Sequence, residues 1–157
     1  MKMRQRKISK GFTLVELIIV IAVIAILLGI ALPRLRGMID EGNSARAAAE
    51  VRALQAAVES FFIHNARVYP AAGATWENAL VAASPRLIGA ALLDPFNGAV
   101  QYQYALSANG QFYVISSFGP NRAATIIGID NTGAVTPAGA TGDDIFSSNG
   151  TPGNGGF

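Results

Sequence analysis

Residues 12–32 read FTLVELIIVIAVIAILLGIAL, an apolar run of 21 residues with a single charge in it. A helix of that length rises about 30 Å, which matches the hydrocarbon thickness of a bilayer. Five basic side chains precede the run, within residues 2–10. Because cationic flanks stay on the cytoplasmic side, the pattern predicts a membrane-spanning helix, with the rest of the chain outside the inner membrane.

The one charge in this run is the carboxylate of Glu16. At that depth a carboxylate costs roughly 2.5–3.5 kcal/mol on insertion scales, so such a residue usually has a partner. The nearest following cation is Arg34, 18 residues away and about 27 Å farther along a helix. We therefore expect Glu16 to pair with a cation that the apolar run itself does not contain.

Residues 10–16, KGFTLVE, resemble the prepilin processing motif of type IV pilins and type II secretion pseudopilins, and the likeness extends over residues 1–33. It implies that a prepilin peptidase cuts after Gly11 and that the new amino group of Phe12 is methylated. Glu16 falls at the family's invariant glutamate, so the Phe12 amine of the same or a neighbouring subunit becomes its partner, and the family favours the neighbour. A signal anchor with a chance glutamate is the alternative. A secretory peptide fits less well, because its cleavage site would follow the apolar run.

The rest of the chain is acidic and contains no cysteine. Removal of residues 1–11 leaves seven arginines against ten acidic residues, a net charge of −3. A basic surface for nucleic acid is therefore not expected. No disulfide can stabilise the fold outside the cytoplasm.

A long helix and a small sheet are the predicted architecture. The helical pattern continues over 34–65, where apolar residues recur every three or four positions and form one face. Residues 66–157 are predicted to form a globular head with a short helix at 76–83, a further turn at 87–93, paired strands at 100–106 and 111–117, a second hairpin at 126–129 and 134–136, and an unstructured end. The fold class is α+β, the "lollipop" of type IV pilins: a leader (1–11), a membrane or filament-core helix (12–33), its amphipathic continuation (34–65) packed on a small antiparallel β-sheet, and the head.

The head resembles the major pseudopilin of type II secretion over residues 69–146. The matching segments are Tyr69-Pro70, LLDPFNGAVQYQY, QFYVISSFG and GDDI. The resemblance implies a calcium site formed by Asp143 and Asp144, completed by Ser117 and carbonyls of the 117–121 loop. The segment 121–141 is longer than in that family, and a solvated acidic turn is the alternative interpretation.

These patterns predict a structural subunit and not an enzyme. The chain has one histidine and shows no Ser–His–Asp order, zinc-ligand spacing or phosphate loop. The resemblance implies a type II secretion pseudopilin that assembles into a helical filament, with a type IV pilin of a surface fibre as the alternative. Its partners would be other copies of itself, prepilin peptidase, the inner membrane, minor pilins or pseudopilins, and an assembly platform with a separate ATPase. A membrane-anchored enzyme or ligand-binding domain is the interpretation from a different class.

Overall fold

The computed structural model describes residues 11–98, 100–137, 142–151 and 154–155; the predicted leader, apart from Gly11, lies outside them. The chain divides into two compact units between Ile39 and Asp40, and each is described by itself. The elements in chain order are α1 (Leu14–His64), α2 (Glu77–Ala82), β1 (Gln103–Leu106), β2 (Tyr113–Ser116), β3 (Ile126–Ile129), β4 (Val135–Pro137), β5 (Phe146–Ser148) and β6 (Asn154–Gly155).

The first unit is the apolar part of α1. Its large apolar side chains between Phe12 and Leu32 are 47–81% exposed, so this part of the chain has no core of its own. By length and composition it is the one helix among the described residues that could cross a membrane. A continuous exposed apolar surface of this kind is stable only when lipid or other protein covers it.

The second unit packs the rest of α1 against a sheet. The buried positions of the helix form the predicted face: Ala47, Val51 and Leu54 follow one another at spacings of four and three, and Ala57 and Val58 lie three and four residues after Leu54. The helix ends at His64, after which Ala66 and Arg67 take the left-handed conformation (φ 54° and 60°) and the Arg67 N–H donates to the Phe62 carbonyl (3.0 Å). This confirms the predicted amphipathic continuation of the helix.

The main sheet has four antiparallel strands in the order β1-β2-β5-β6. The β1–β2 hairpin was predicted, and its register pairs Gln103 with Ser116 and Leu106 with Tyr113. Strands β5 and β6 were not predicted, because the sequence around them lacks apolar alternation. Ser147 of β5 is buried all the same, and its hydroxyl donates to the Gln55 side chain of α1 (2.5 Å). Polar partners from a distant helix thus stabilise a strand that has little strand-like character of its own.

The second hairpin, β3–β4, was also predicted, and it forms a separate two-stranded sheet. In its turn, one Asp130 oxygen accepts hydrogen bonds from the Thr132 hydroxyl and from the N–H groups of Thr132 and Ala134. These bonds, the one from the Thr132 hydroxyl above all, hold the pKa of Asp130 below its usual value. The Asn131 side chain accepts from the Asn109 N–H (2.9 Å), so the turns of the two hairpins meet.

The region between α1 and the sheet differs from prediction in one respect. The short helix is present as α2, but no further helical turn forms over residues 87–93. There the Leu87 N–H bonds back to the Leu80 carbonyl, and the Leu92 N–H donates to the Glu77 carboxylate (2.5 Å). Backbone groups that a helix would use internally are therefore satisfied by α2, which explains the extended path.

Candidate functional site at the start of α1 and at the head clamp

The first turn of α1 contains a capping box formed by Thr13 and Glu16. One Glu16 carboxylate oxygen accepts from the Thr13 N–H (2.9 Å) and from the Thr13 hydroxyl (2.8 Å). In return the Glu16 N–H donates to the Thr13 hydroxyl oxygen (3.2 Å). The helix begins at Leu14, so Thr13 is its N-cap and Glu16 its third residue, which is the pattern of a capping box. The spacing T-x-x-E at residues 13–16 is its sequence signal, and the sequence analysis missed it.

This geometry gives Glu16 a role before any assembly. Its carboxylate satisfies the otherwise unpaired N–H of Thr13, and a negative charge in the first helical turn is favoured by the helix dipole. The second carboxylate oxygen has no hydrogen bond among the described residues. It is therefore free to accept a bond from a cation supplied by another molecule.

The residues on either side of the expected cut precede the helix. Gly11 and Phe12 are non-helical and exposed, which makes this peptide bond accessible to an enzyme. A side chain added at Gly11 would meet no atom within 4 Å. The fold of this chain therefore does not itself require glycine there.

The segment that contains Asp143 and Asp144 lies against the loop after β2. One Asp143 oxygen accepts from the Asn121 N–H (2.9 Å). One Asp144 oxygen accepts from the N–H groups of Thr125 (2.8 Å) and Ile126 (2.9 Å). Direct hydrogen bonds thus connect the acidic pair to the chain between β2 and β3, and we call this arrangement the head clamp (Asp143 and Asp144 with residues 117–126).

Ser117 belongs to the same clamp. It is buried, its N–H donates to the Ile145 carbonyl (2.9 Å), and its hydroxyl accepts from the Gly119 N–H (3.4 Å). Gly119 has a φ of 68°, and a side chain there would collide with the Asp143 carbonyl. Only glycine allows the two segments to approach so closely.

The oxygen atoms of the head clamp match only part of the ligand set that a calcium ion would need. Calcium takes six to eight oxygen ligands, several of them carboxylates. The described residues contain no group of three or more Asp, Glu, His or Cys side chains that could hold a metal. However, Asp144 is 4% exposed, and its second carboxylate oxygen is buried without a hydrogen-bond partner among the described residues. That oxygen suits a cation, and the remaining ligands would have to be carbonyls, the Ser117 hydroxyl, Asp143 and water.

Two further buried carboxylates, Asp94 and Glu77, hold the head together, and neither was singled out from the sequence. Both side chains are 0% exposed. Asp94 accepts from the Phe96 N–H and, with its other oxygen, from the Phe118 N–H (both 2.8 Å), which joins the turn at 94–98 to the loop after β2. Burial raises the pKa of Glu77 to about 7. The Asp-Pro pair at 94–95 is a turn signal, but no local signal indicates Phe118 as a partner.

Tyrosine hydroxyls connect α1 to the sheet. The Tyr102 hydroxyl donates to Glu50 (2.6 Å) and the Tyr113 hydroxyl donates to Glu59 (2.7 Å). Burial raises the pKa of both tyrosines, so both remain neutral donors at physiological pH. These contacts give both tyrosines a structural role.

Comparisons with known proteins agree with these features. The family model described as the prokaryotic N-terminal methylation motif matches residues 6–32. The type IV major fimbrial protein FimA of Dichelobacter nodosus is 33% identical over 125 residues, which cover 78% of this chain and 80% of FimA. A fimbrial protein of Pseudomonas aeruginosa is 41% identical over 66 residues (42% of this chain, 43% of that protein). The type II secretion system core protein G of Klebsiella michiganensis is 32% identical over 66 residues (42% and 46%). No solved structure is a significant match.

The chain thus combines a capped apolar helix, the processing motif and a head with an antiparallel sheet. The type IV fimbrial protein FimA is similar to it over most of its length. Proteins of this kind are structural subunits and not enzymes. The chain belongs to the type IV pilin family.

Proposed function

We propose that this chain is a filament subunit that is held in the inner membrane by α1 until assembly. Prepilin peptidase cuts after Gly11, and the amino group of Phe12 is then methylated. An inner-membrane platform with a separate ATPase extracts the subunit into a helical filament, with minor pilins as further partners. The observation that carries this proposal is the first unit, whose apolar side chains between Phe12 and Leu32 are all largely exposed. Lipid covers them before assembly, and the same helix of other copies covers them afterwards.

Within this proposal, Glu16 receives the Phe12 amine of a neighbouring subunit. The capping box uses one carboxylate oxygen and leaves the other without a hydrogen bond among the described residues. The bond to Thr13 also fixes the side chain near the N-terminal end of the helix, where an incoming amine would approach. The site is therefore preorganised, and less side-chain entropy is lost on pairing.

For the kind of filament, we propose a type IV pilus fibre, with a type II secretion pseudopilus as the alternative. The sequence alone favoured the pseudopilus, because the segments from Tyr69-Pro70 to GDDI resemble the major pseudopilin of type II secretion. The extent of the similarity to relatives supports the change. A match of 125 residues extends well beyond the leader and α1, so the fimbrial relative shares part of the head. The match to the secretion protein covers 66 residues.

Deletion of the gene in the organism that encodes the chain tests this choice. We expect surface fibres seen by negative-stain electron microscopy to disappear, and the set of secreted proteins to stay the same. The wild-type gene supplied in trans should restore the fibres, and a Gly11→Leu variant, which should resist processing, should not. If the fibres persist while secreted enzymes accumulate inside the cell, the pseudopilus interpretation is correct.

We also propose that the head clamp binds one calcium ion through Asp143 and Asp144, with Ser117 nearby. The support is the buried Asp144 oxygen that has no partner in the described part of the chain. An ion that binds only the folded state at about 100 times its Kd adds ~2.7 kcal/mol of stability. Thermal melting of the full chain in detergent, with calcium and with chelator, decides the point. Equal midpoints in both solutions would mean that hydrogen bonds alone hold the clamp.

A further inference from the structure

The head contains four Asn-Gly pairs, at 97–98, 109–110, 149–150 and 154–155. Asparagine loses its side-chain amide most readily in this sequence, because glycine has no side chain to hinder attack by its backbone nitrogen. Asparagine is one of the thermolabile residues that are scarce in heat-stable proteins. The pair at 154–155 lies in β6. The hydrogen bonds of the other three pairs differ, and these bonds decide how readily each pair can react.

The reaction needs no enzyme. The glycine nitrogen, once its proton has passed to a base in the solvent, attacks the side-chain carbonyl carbon of the asparagine. A carbon–nitrogen bond forms to the attacking nitrogen, the bond to the side-chain nitrogen breaks, and the latter leaves with a proton as ammonia. Water then opens the cyclic imide at either of its carbonyl groups. The products are aspartate and isoaspartate, and in isoaspartate the main chain runs through the side-chain methylene group and is therefore longer.

The pair at 149–150 is held by hydrogen bonds at both reacting groups. The amide nitrogen of Asn149 donates to the Gln111 carbonyl (2.9 Å), and its amide oxygen accepts from the Tyr113 N–H (2.8 Å). The Gly150 N–H donates to the Ser148 hydroxyl (3.2 Å). Both groups must therefore give up hydrogen bonds before they can meet.

The pair at 109–110 is held in the same way. The amide oxygen of Asn109 accepts from the Ser107 hydroxyl (2.7 Å) and from the Gln111 N–H (3.0 Å). Its amide nitrogen donates to the Asn131 carbonyl (3.2 Å), and the Gly110 N–H donates to the Ser107 carbonyl (2.9 Å). Asn109 is exposed, whereas Asn149 and Asn97 are half-buried. Access to solvent alone would therefore make Asn109 the fastest of the three to react.

The pair at 97–98 has its reacting groups free. Within the described part of the chain, neither the Asn97 side chain nor the Gly98 N–H makes a hydrogen bond. Gly98 is exposed, which gives water and base access to this turn. The turn itself is closed by backbone bonds: the Asn97 N–H donates to the Asp94 carbonyl (3.2 Å), and the Asn97 carbonyl accepts from the Val100 N–H (3.0 Å).

We propose that Asn97 is a site of spontaneous deamidation in the folded head, and that it reacts faster there than Asn109 or Asn149. The proposal is independent of the kind of filament that the chain forms. Deamidation adds a negative charge to a turn that already contains the buried Asp94 carboxylate. Isoaspartate also lengthens the segment between positions 94 and 100, whose ends are joined by the bond from the Asp94 N–H to the Val100 carbonyl (3.0 Å).

The modification therefore loosens the head as a subunit ages. Asp94 is the connection through which this turn reaches the head clamp, because its carboxylate accepts from the Phe118 N–H (2.8 Å). A longer main chain at position 97 cannot keep the backbone bonds of the turn and this connection in their present geometry.

Incubation of the full-length protein in detergent at mildly alkaline pH tests the proposal. Fragment-ion mass spectrometry locates each position at which the side-chain NH₂ has been replaced by OH. The rate at Asn97 should exceed the rates at Asn109 and Asn149 at least roughly tenfold, since a factor of ten corresponds to about 1.4 kcal/mol of barrier, the magnitude of one or two hydrogen bonds.

The same chain unfolded in urea is the matched control. All three pairs share the sequence Asn-Gly, so they should react at similar rates once the fold no longer holds them. A folded protein in which Asn109 or Asn149 reacts as fast as Asn97 overturns the proposal. A difference that persists in urea also overturns it, because the local sequence would then be the cause. Asn97→Gln, whose longer side chain closes a ring far more slowly, should remove the reaction at this position and leave the other rates unchanged.

A second measurement tests the effect on the head. Anion exchange separates the modified protein by its additional negative charge, and the fluorescence of the buried Trp76 follows unfolding in urea. The modified fraction should unfold at a lower urea concentration than the unmodified chain. Asn97→Asp, which has the charge without the longer main chain, should lie between them. Equal midpoints for the modified and unmodified chains refute the loosening.

Discussion

The Asp144→Ala substitution is the sharpest test of the head clamp. Asp144 is buried, and one of its oxygens accepts hydrogen bonds from the backbone N–H groups of Thr125 and Ile126. Removal of the carboxylate leaves both donors without that acceptor, and an unsatisfied buried donor costs about 1–3 kcal/mol. Both donors are half-buried and the lost carboxylate also had one unpaired oxygen, so a net loss of about 2–3 kcal/mol is expected. For a unit of this size the melting temperature then falls by roughly 8–12 °C.

The single tryptophan makes the measurement direct. Trp76 is 3% exposed, stacks on Tyr104 with ring centroids 4.5 Å apart, and lies in the second unit. Its fluorescence in the full-length protein in detergent therefore reports unfolding of the head and not of the apolar part of α1. Thermal or urea unfolding followed at this signal gives the change in stability.

Asp143 provides the matched control. It is exposed and accepts one hydrogen bond, from the exposed Asn121 N–H, so Asp143→Ala should cost less than about 1 kcal/mol in chelator. Asp144→Asn keeps an acceptor oxygen and should fall between the two alanine variants. Equal losses from the two alanine variants in chelator, or no loss from Asp144→Ala, would show that the clamp does not act through these hydrogen bonds.

Three further predictions concern other parts of the chain. Burial raises the pKa of Glu77 to about 7 in the folded state, so its contribution to stability is complete below about pH 4.5 and is lost as the pH rises towards 7; urea unfolding at several pH values should show this decline, and Glu77→Gln should remove it. Gly11→Leu should leave the folded head unchanged but block processing, so that intact-mass spectrometry of membranes finds the leader still attached; a native N-terminus at Phe12 in this variant would contradict the prediction. Glu16→Ala should be cleaved and inserted normally but assemble poorly, because a buried Phe12 amine without its partner costs roughly 3–5 kcal/mol; normal filament yield would refute the pairing. Thr13→Ala, which removes only the hydroxyl contacts of the capping box, is the control for this third prediction and should reduce assembly less than Glu16→Ala.

Features of this protein that rest on neighbouring residues could be predicted from the sequence. The apolar helix, its amphipathic continuation and both hairpins rest on periodicity or on turn residues within a few positions of one another. The processing segment around Gly11 is equally local. Even the missed capping box of Thr13 and Glu16 has a local signal, since it lies within four consecutive residues.

The contacts that close the head could be identified only from the tertiary structure. Asp94 bonds to Phe118, 24 positions away, and Asp144 bonds to Thr125, 19 positions away. Strand β5 forms because β2 and the helix present partners to it, although its sequence alone does not favour a strand. Hydrogen bonds between residues a few positions apart follow from the sequence, because the geometry of a short segment leaves each donor few alternative acceptors. A buried carboxylate can be satisfied by any N–H group that the fold brings near, and the packing of the whole head decides which one.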